Sequence, residues 1–172
     1  MTKSFGEFYV KGDKVGIKAG SLLNRKNLIF EIFIYIGRNK KINSIDTPTK
    51  ILLKESINLI DDSFRNDKYF STQFLEILKS KYNLSSLLKT MKNLGILQAY
   101  IKEFGEVVGQ MQFDLFHVYT VDEHTFKVLR NMRQMQIAAQ NGFELEYELI
   151  NKLEKIEVLY LAGLFHDIGK GR

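Results

Sequence analysis

The chain contains no cysteine, and this absence removes several kinds of chemistry at once. Disulfide bonds, thiolate nucleophiles and cysteine-ligated zinc are all excluded. Any metal ion that this protein binds must therefore take its ligands from histidine, aspartate or glutamate side chains or from water.

Proline and glycine are scarce, with one proline and 12 glycines among 172 residues. Because these residues punctuate turns, their scarcity favours long helices over a many-stranded β fold. Runs of five or six like charges are also missing, and the net charge of +5 is only mildly basic. Such a balance suits a phosphorylated substrate, a nucleic acid or an acidic partner, and it does not choose among them.

Long apolar runs are lacking as well. The longest, from Asn27 to Gly37, is too short to span a bilayer. The N-terminus has no apolar stretch of the kind found in signal peptides. These two absences predict a cytoplasmic protein that does not enter a membrane, while an apolar content of 45% is enough to build a core.

The pattern of apolar residues predicts a mainly α fold, a helical bundle with a small N-terminal β-hairpin. Residues 5–18 alternate around Gly12-Asp13, which is typical of a hairpin turn. Apolar spacings of three and four predict helices over most of the remaining chain. The predicted helices cover 25–38 with Gly37 as the C-cap, a helix begun by Thr47 and Pro48, one capped by Ser71, one from Ser85 closed by Gly95, 121–139, and 144–168 with an interruption near Leu153.

Two of the three histidines occupy informative positions. His166 and Asp167 end an apolar helical run, where both would be costly to bury without partners. His124 lies 42 residues upstream on a separate predicted helix. A metal ion held by imidazole and carboxylate would remove the cost, and such ligands suit Mg, Mn, Fe, Co or Zn without selecting one.

A divalent ion at these residues would support hydrolysis of a phosphate ester. It lowers the pKa of a coordinated water and polarises a phosphoryl oxygen. Lys170, three residues past Asp167, could offset phosphate charge. Simpler interpretations stay open: a structural His–Asp hydrogen bond and a solvated Lys170. His117, which lies among aromatic residues, is expected to be a structural group or one that supports a ligand.

The run Leu-Phe-His-Asp-Ile-Gly-Lys-Gly, together with His124 in Asp-Glu-His-Thr, resembles the HD phosphohydrolase superfamily, which carries an H…HD…D ligand pattern on a helical fold. The resemblance implies that His124, His166 and Asp167 are metal ligands, and that His166, Asp167 and Lys170 are catalytic. It implies a divalent cofactor, Mg or Mn first, with Fe, Co or Zn as alternatives. The final aspartate of the pattern has no counterpart before the chain ends at Arg172.

Longer strings carry a closer resemblance. Residues 109–125, 159–172, 60–67 and 95–105 are similar to the bifunctional PII uridylyltransferase/uridylyl-removing enzymes of bacterial nitrogen regulation. That family implies a helical linker region over 1–103, following an absent nucleotidyltransferase domain. It also implies that 104–172 is the N-terminal part of an HD domain, with the first helices of that fold. The implied partner is the UMP-modified PII protein, with no nucleic acid involved.

The family's transferase signature, Gly-Ser followed by Asp-x-Asp, is not found in this sequence, nor are its glutamine-sensing ACT domains. We therefore expect a fragment of the family's enzyme that retains part of the hydrolase removing UMP from uridylylated PII and is inactive by itself. Two alternatives remain: a non-catalytic helical interaction module and another HD-type nucleotide phosphodiesterase.

Overall fold

The computed structural model describes residues 2–111, 119–137 and 142–171. The chain divides into two compact units, residues 1–100 and 101–172. The described residues form eleven α-helices, two short 3-10 helices and four strands, so the predicted mainly α fold with a small N-terminal β element is confirmed. None of the helices in these ranges has the length and apolar character needed to cross a bilayer.

The first unit opens with a four-stranded sheet in sequence order. Strands β2 and β3 form the predicted hairpin, and Gly12 takes a φ of 64° at the first central turn position. Strand β1 adds antiparallel to β2, and β4 adds parallel to β3; neither was predicted. Strand β1 is exposed along its whole length and so lacks the alternation that identifies a strand, while β4 has only two residues. The strands are β1 Thr2–Phe5, β2 Phe8–Lys11, β3 Lys14–Ile17 and β4 Ser44–Ile45.

Seven α-helices complete this unit, with α2 at their centre because apolar residues cover nearly its whole circumference. Phe30 of α2 is fully buried and meets the rings of Phe64 and Tyr100 edge-on, with centroids 5.2 and 5.0 Å away. The helices are α1 Ser21–Asn24, α2 Leu28–Arg38, α3 Thr47–Glu55, α4 Asp62–Asn66, α5 Lys68–Leu78, α6 Leu84–Asn93 and α7 Ile96–Tyr100, with a 3-10 helix at Ile57–Leu59.

Three of the predicted helix N-caps were wrong, by one to four residues. Ser85 lies inside α6, which begins at Leu84 after the N-cap Asn83. Asp46, not Thr47, caps α3, because its side chain accepts a hydrogen bond from the Thr49 amide at 3.0 Å. Asp67, not Ser71, caps α5 through the amide of Tyr69 at 2.8 Å. For α3 and α5, an aspartate just upstream was an equally good cap in the sequence.

The sequence predicted Gly37 as the C-cap of α2, but this prediction is wrong, because Gly37 lies inside the helix. The helix continues to Arg38, and Asn39 is its C-cap. A Cβ atom on Gly37 would lie 2.6 Å from the Cβ of Ser80 and still closer to its hydroxyl. The glycine is therefore required for close packing of α2 against the segment that follows α5.

The described residues of the second unit form four α-helices, and α9 packs against both α10 and α11. Residues 152–155 interrupt the last predicted helix, as expected near Leu153. The predicted continuation of α9 to residue 139 falls partly on residues 138–141, which lie outside the described part of the chain. The helices are α8 Lys102–Val107, α9 Val121–Ile137, α10 Glu144–Asn151 and α11 Ile156–Phe165, followed by a 3-10 helix at Ile168–Gly171.

Candidate metal centre

The first turn of α9 is held by the segment that follows α8. The Val121 amide donates to the carbonyl of Gln110 at 3.0 Å. The carboxylate of Asp122, which is buried, accepts a hydrogen bond from the Gly109 amide at 3.0 Å. His124 lies in this same turn, so these two hydrogen bonds help to fix the position of its backbone.

Helix α11 packs closely against α9. Gly163 faces α9, where an added Cβ would lie 2.9 Å from the sulfur of Met132. The buried Tyr160 donates a hydrogen bond from its hydroxyl to the side-chain carbonyl of Gln136 at 2.6 Å. This close packing brings the C-terminal end of α11 beside the first turn of α9.

Three side chains that can bind a metal converge where these helix ends meet. The carboxylate Oδ2 of Asp167 lies 3.8 Å from Nε2 of His124 and 3.4 Å from Nε2 of His166. One potential ligand atom from each residue lies within 4.8 Å of the other two. Asp167 is the least exposed of the three, with 12% of its side chain accessible. The cluster therefore sits at the surface with one partly shielded carboxylate.

The orientation of His166 is set by its own helix. Its Nδ1 lies 2.8 Å from the carbonyl oxygen of Gly163, one turn earlier. Since a carbonyl can only accept, Nδ1 carries a proton, and in the neutral imidazole the lone pair is then on Nε2, the nitrogen that faces Asp167. This is the arrangement in which an imidazole binds a metal through Nε2 while its other nitrogen is held by a backbone oxygen.

Asp167 is held in its charged form. Burial raises the pKa of this carboxyl, but the hydrogen bond from Lys170 and the electrostatic influence of His166, Lys170 and His124 outweigh that effect. The net pKa of Asp167 is below its ordinary value. The ammonium of Lys170 lies 2.8 Å from Oδ2, the same oxygen that faces both imidazoles.

The residues present fit a divalent metal. Two imidazole nitrogens and one carboxylate oxygen form a donor set accepted by Zn, Fe, Co and Mn, and by Mg when waters complete its coordination. An ion about 2.1 Å from each donor needs donor separations of about 3.0 to 4.2 Å, close to those seen between the oxygen of Asp167 and the two imidazoles. Small side-chain rotations would therefore complete a three-ligand site.

The structure thus brings together all four residues singled out in the sequence, although their roles as ligands and catalytic groups stay predictions. His117 lies outside the described residues. Sequence reasoning missed the groups that support the cluster, namely the carbonyl of Gly163, Asp122 and the Tyr160–Gln136 hydrogen bond. Of these, only the Gly163 carbonyl could have been predicted from the sequence. Gly163 lies three residues before His166, and at that spacing in a helix a side chain can reach a backbone carbonyl.

In comparisons with known proteins, two family models match the chain, and each match lies within one of the two compact units. Residues 8–100 match the family model described as the third domain of uridylyltransferase GlnD. Residues 121–172 match the HD domain model. The second match contains the whole cluster of His124, His166, Asp167 and Lys170. No solved structure matches the chain.

Curated relatives carry the name bifunctional uridylyltransferase/uridylyl-removing enzyme. The one from Azotobacter vinelandii is 43% identical over 157 residues, covering 90% of this chain and 17% of the relative. That from Pseudomonas fluorescens is 45% identical over 145 residues, 84% of this chain and 16% of the relative. The relative from Methylococcus capsulatus is 44% identical over 144 residues, which cover 83% of this chain and 16% of the relative. The chain therefore spans about a sixth of the length of these relatives.

Proposed function

The chain belongs to the family described as the third domain of uridylyltransferase GlnD, and from that premise we propose that it carries part of a metal-dependent phosphodiesterase site of the uridylyl-removing kind. The bond cleaved would link UMP to a tyrosine of the PII protein. We assign residues 1–103 to the helical region and 104–172 to the start of the HD domain. The single observation that carries the proposal is the convergence of His124, His166 and Asp167 within the HD match.

Each residue has a distinct part in this proposal. His166 binds the ion through Nε2, because its Nδ1–H is engaged by the Gly163 carbonyl. Asp167 supplies the negative charge, and its lowered pKa keeps it ionised at neutral pH. His124 provides the third ligand from a separate helix, so metal binding would also fasten α9 to α11.

Lys170 has a second role in the proposal, that of a cation beside the substrate. Its ammonium already lies next to the cluster through Asp167. With a metal ion bound by Asp167, Lys170 would be available to pair with a non-bridging phosphoryl oxygen. A bound divalent ion, Mg or Mn first among the candidates, would supply Lewis acidity towards water and the phosphoryl group.

The HD ligand pattern ends in an aspartate, and residues 168–172 contain none. With three protein ligands we expect weak metal binding and little or no hydrolysis by this chain alone. The cytoplasmic location expected from the sequence is part of the same proposal and stays a prediction.

Metal titration tests the ligand assignment directly. Titrating Mn²⁺ into the chain, followed by electron paramagnetic resonance, should give one site. Asp167→Ala and His124→Ala should each abolish it, whereas the exposed Asp62→Asn in the first unit should leave it unchanged. A site that survives both cluster substitutions would refute the assignment.

A second measurement addresses the reaction. The chain and its Asp167→Ala variant would be incubated with uridylylated PII and with a UMP phenyl ester, and UMP release would be followed by chromatography. Any release should require Mn²⁺ or Mg²⁺ and should be absent from the variant. Release that persists after chelation would exclude a metal-dependent mechanism.

A further inference from the structure

Tyr119 and Lys127 form an exposed aromatic–cation pair at the start of α9. The ammonium of Lys127 lies over the ring of Tyr119, 4.5 Å from its centroid. Tyr119 is still 48% exposed with this cation on one face, so ring surface is left for a second planar group. Nucleobases commonly stack on aromatic rings that are exposed in this way.

The backbone next to Tyr119 is anchored. Thr120 forms an isolated antiparallel β-bridge with Met111. The Thr120 carbonyl also accepts a hydrogen bond from the His124 amide at 2.9 Å, so Tyr119 is joined directly to the turn that carries His124. A ring on an anchored segment loses little freedom when a ligand stacks on it, which favours binding.

Helical geometry places Lys127 beside His124. Both residues lie within α9, three positions apart, so Lys127 is about 4.5 Å further along the axis and is turned by about 60°. Side chains on a helix lean towards its N-terminus, and the contact with Tyr119 shows that Lys127 does so here. The lysine therefore runs back along the turn that carries His124, on the side away from the buried residues of α9. Those buried residues are Val121, Asp122, Thr125, Phe126 and Leu129.

His124 has two different flanks. Met132, which packs against α11, is turned by about 80° from His124 in the sense opposite to Lys127. Helix α11 therefore lies on one flank of His124, and the Tyr119–Lys127 pair lies on the other.

The charges of the two flanks suit different parts of a nucleotide. Lys170 lies on the α11 flank at the metal centre, where its ammonium is 2.8 Å from Asp167. On the other flank, Glu123 precedes Lys127 by four residues, so this carboxylate and ammonium are neighbours on the helix surface and offset one another. A phosphate is therefore favoured at the metal centre, and an uncharged planar group is favoured on the second flank.

We propose that Tyr119, oriented by Lys127, is the stacking surface for the uracil base of a uridylyl group whose phosphate lies at the metal centre. Uracil is planar and uncharged at neutral pH, as this flank requires. The assignment rests on the proposed function, because that function supplies the uridylyl group as the substrate. Lys127 acts through Tyr119 and is a positioning residue.

Equilibrium dialysis of the full chain against UMP and against ribose 5-phosphate, both with Mn²⁺, isolates the contribution of the base. The wild type should bind UMP about fivefold to a hundredfold more tightly. Tyr119→Leu should lose this preference without a change in ribose 5-phosphate affinity, and Tyr119→Phe should keep it. Phe143→Leu, which alters another exposed aromatic residue of the second unit, should behave like the wild type. A wild type without the preference, or a Tyr119→Leu variant that keeps it, would overturn the assignment.

Substitutions of Lys127 test its positioning role. Lys127→Met should lose most of the preference for UMP because the ring is no longer held, while Lys127→Arg keeps a cation over the ring and should retain it. Lys155→Met alters an exposed lysine just before α11 and should behave like the wild type. If Lys127→Met weakened UMP and ribose 5-phosphate by the same factor, the lysine would act on the phosphate, contrary to this role.

Electron paramagnetic resonance of Mn²⁺ on the same samples separates the stacking surface from the proposed function. Tyr119→Leu and Lys127→Met should keep the Mn²⁺ site, because neither removes a ligand. A wild type that binds Mn²⁺ at the cluster but does not distinguish UMP from ribose 5-phosphate would refute the stacking surface and leave the metal site in place. A base preference that depends on Tyr119 in a chain without any Mn²⁺ site would support the stacking surface and refute the metal-dependent function.

Discussion

Replacing Gly37 by alanine tests whether close packing or helix propensity governs the centre of the first unit. Gly37 lies inside α2, where alanine is intrinsically better by about 1 kcal/mol. A propensity argument alone predicts that the substitution stabilises the protein. The structure predicts the opposite, because the new methyl group would lie 2.6 Å from the Cβ of Ser80.

The size of the effect follows from the contacts of Ser80. This serine is buried and donates its hydroxyl hydrogen bond to the Ile77 carbonyl. Overpacking costs about 1–3 kcal/mol, and displacing the serine would also lose a hydrogen bond of about 0.5–1.5 kcal/mol. After the gain in propensity is subtracted, Gly37→Ala should lower the free energy of unfolding by about 0.5–3.5 kcal/mol.

Urea unfolding followed by far-UV circular dichroism would measure this change, and hydrogen exchange of α2 peptides would assign it to the first unit. Ser80→Gly removes both clashing atoms, so the double variant should be more stable than the sum of the single effects by about 1–2 kcal/mol. Gly37→Ala that is as stable as the wild type, or additive effects in the double variant, would refute the packing argument.

Three further predictions concern other parts of the chain. Burial raises the pKa of Asp46, but hydrogen bonds from Tyr9 and Thr49 lower it by more, so the pKa lies below its ordinary value. The stability that Asp46 adds should therefore be constant at neutral pH and decline below about pH 4. Urea titrations of the wild type and of Asp46→Asn across this pH range would measure the difference. Phe30→Ala should cost about 3–5 kcal/mol in the same unfolding assay, because the ring is fully buried; a cost below 1 kcal/mol would contradict its central place. Lys170→Met should tighten Mn²⁺ binding, since the ammonium no longer competes for Asp167, yet slow any UMP release; weaker Mn²⁺ binding would show that the lysine supports the site instead.

Local sequence signals predicted the first hairpin and most helices because their causes lie within a few residues. Gly12 and Asp13 provide the turn, and the apolar spacing in α2 and α9 gives the helices. The helix caps were harder to predict. Asp46 and Thr47 are both good capping residues, and the choice between them depends on strand β3. The Val15 carbonyl of that strand accepts a hydrogen bond from the Asp46 amide, and this holds the backbone of Asp46 in an extended conformation.

The candidate site divides in the same way. The resemblance named His124, His166 and Asp167, and it did so through residue identities alone. The distances between them, the tautomer of His166 and the ion pair of Lys170 with Asp167 depend on how α9 and α11 pack. That packing relies on Gly163 and on the Tyr160–Gln136 hydrogen bond, neither of which the sequence singled out.

By itself the sequence determined the mainly α character, the exclusion of cysteine chemistry, the family and the residue types available to a metal. The mainly α character and the available residue types follow from composition and short-range periodicity, and the family follows from the resemblance of whole strings of residues. None of these needs long-range contacts. Only the tertiary structure decided that Gly37 is a packing glycine and not a cap, and that two helix ends place three potential ligand atoms within 4.8 Å of one another. Both depend on contacts between residues distant in the chain, and local pattern carries no information about such contacts.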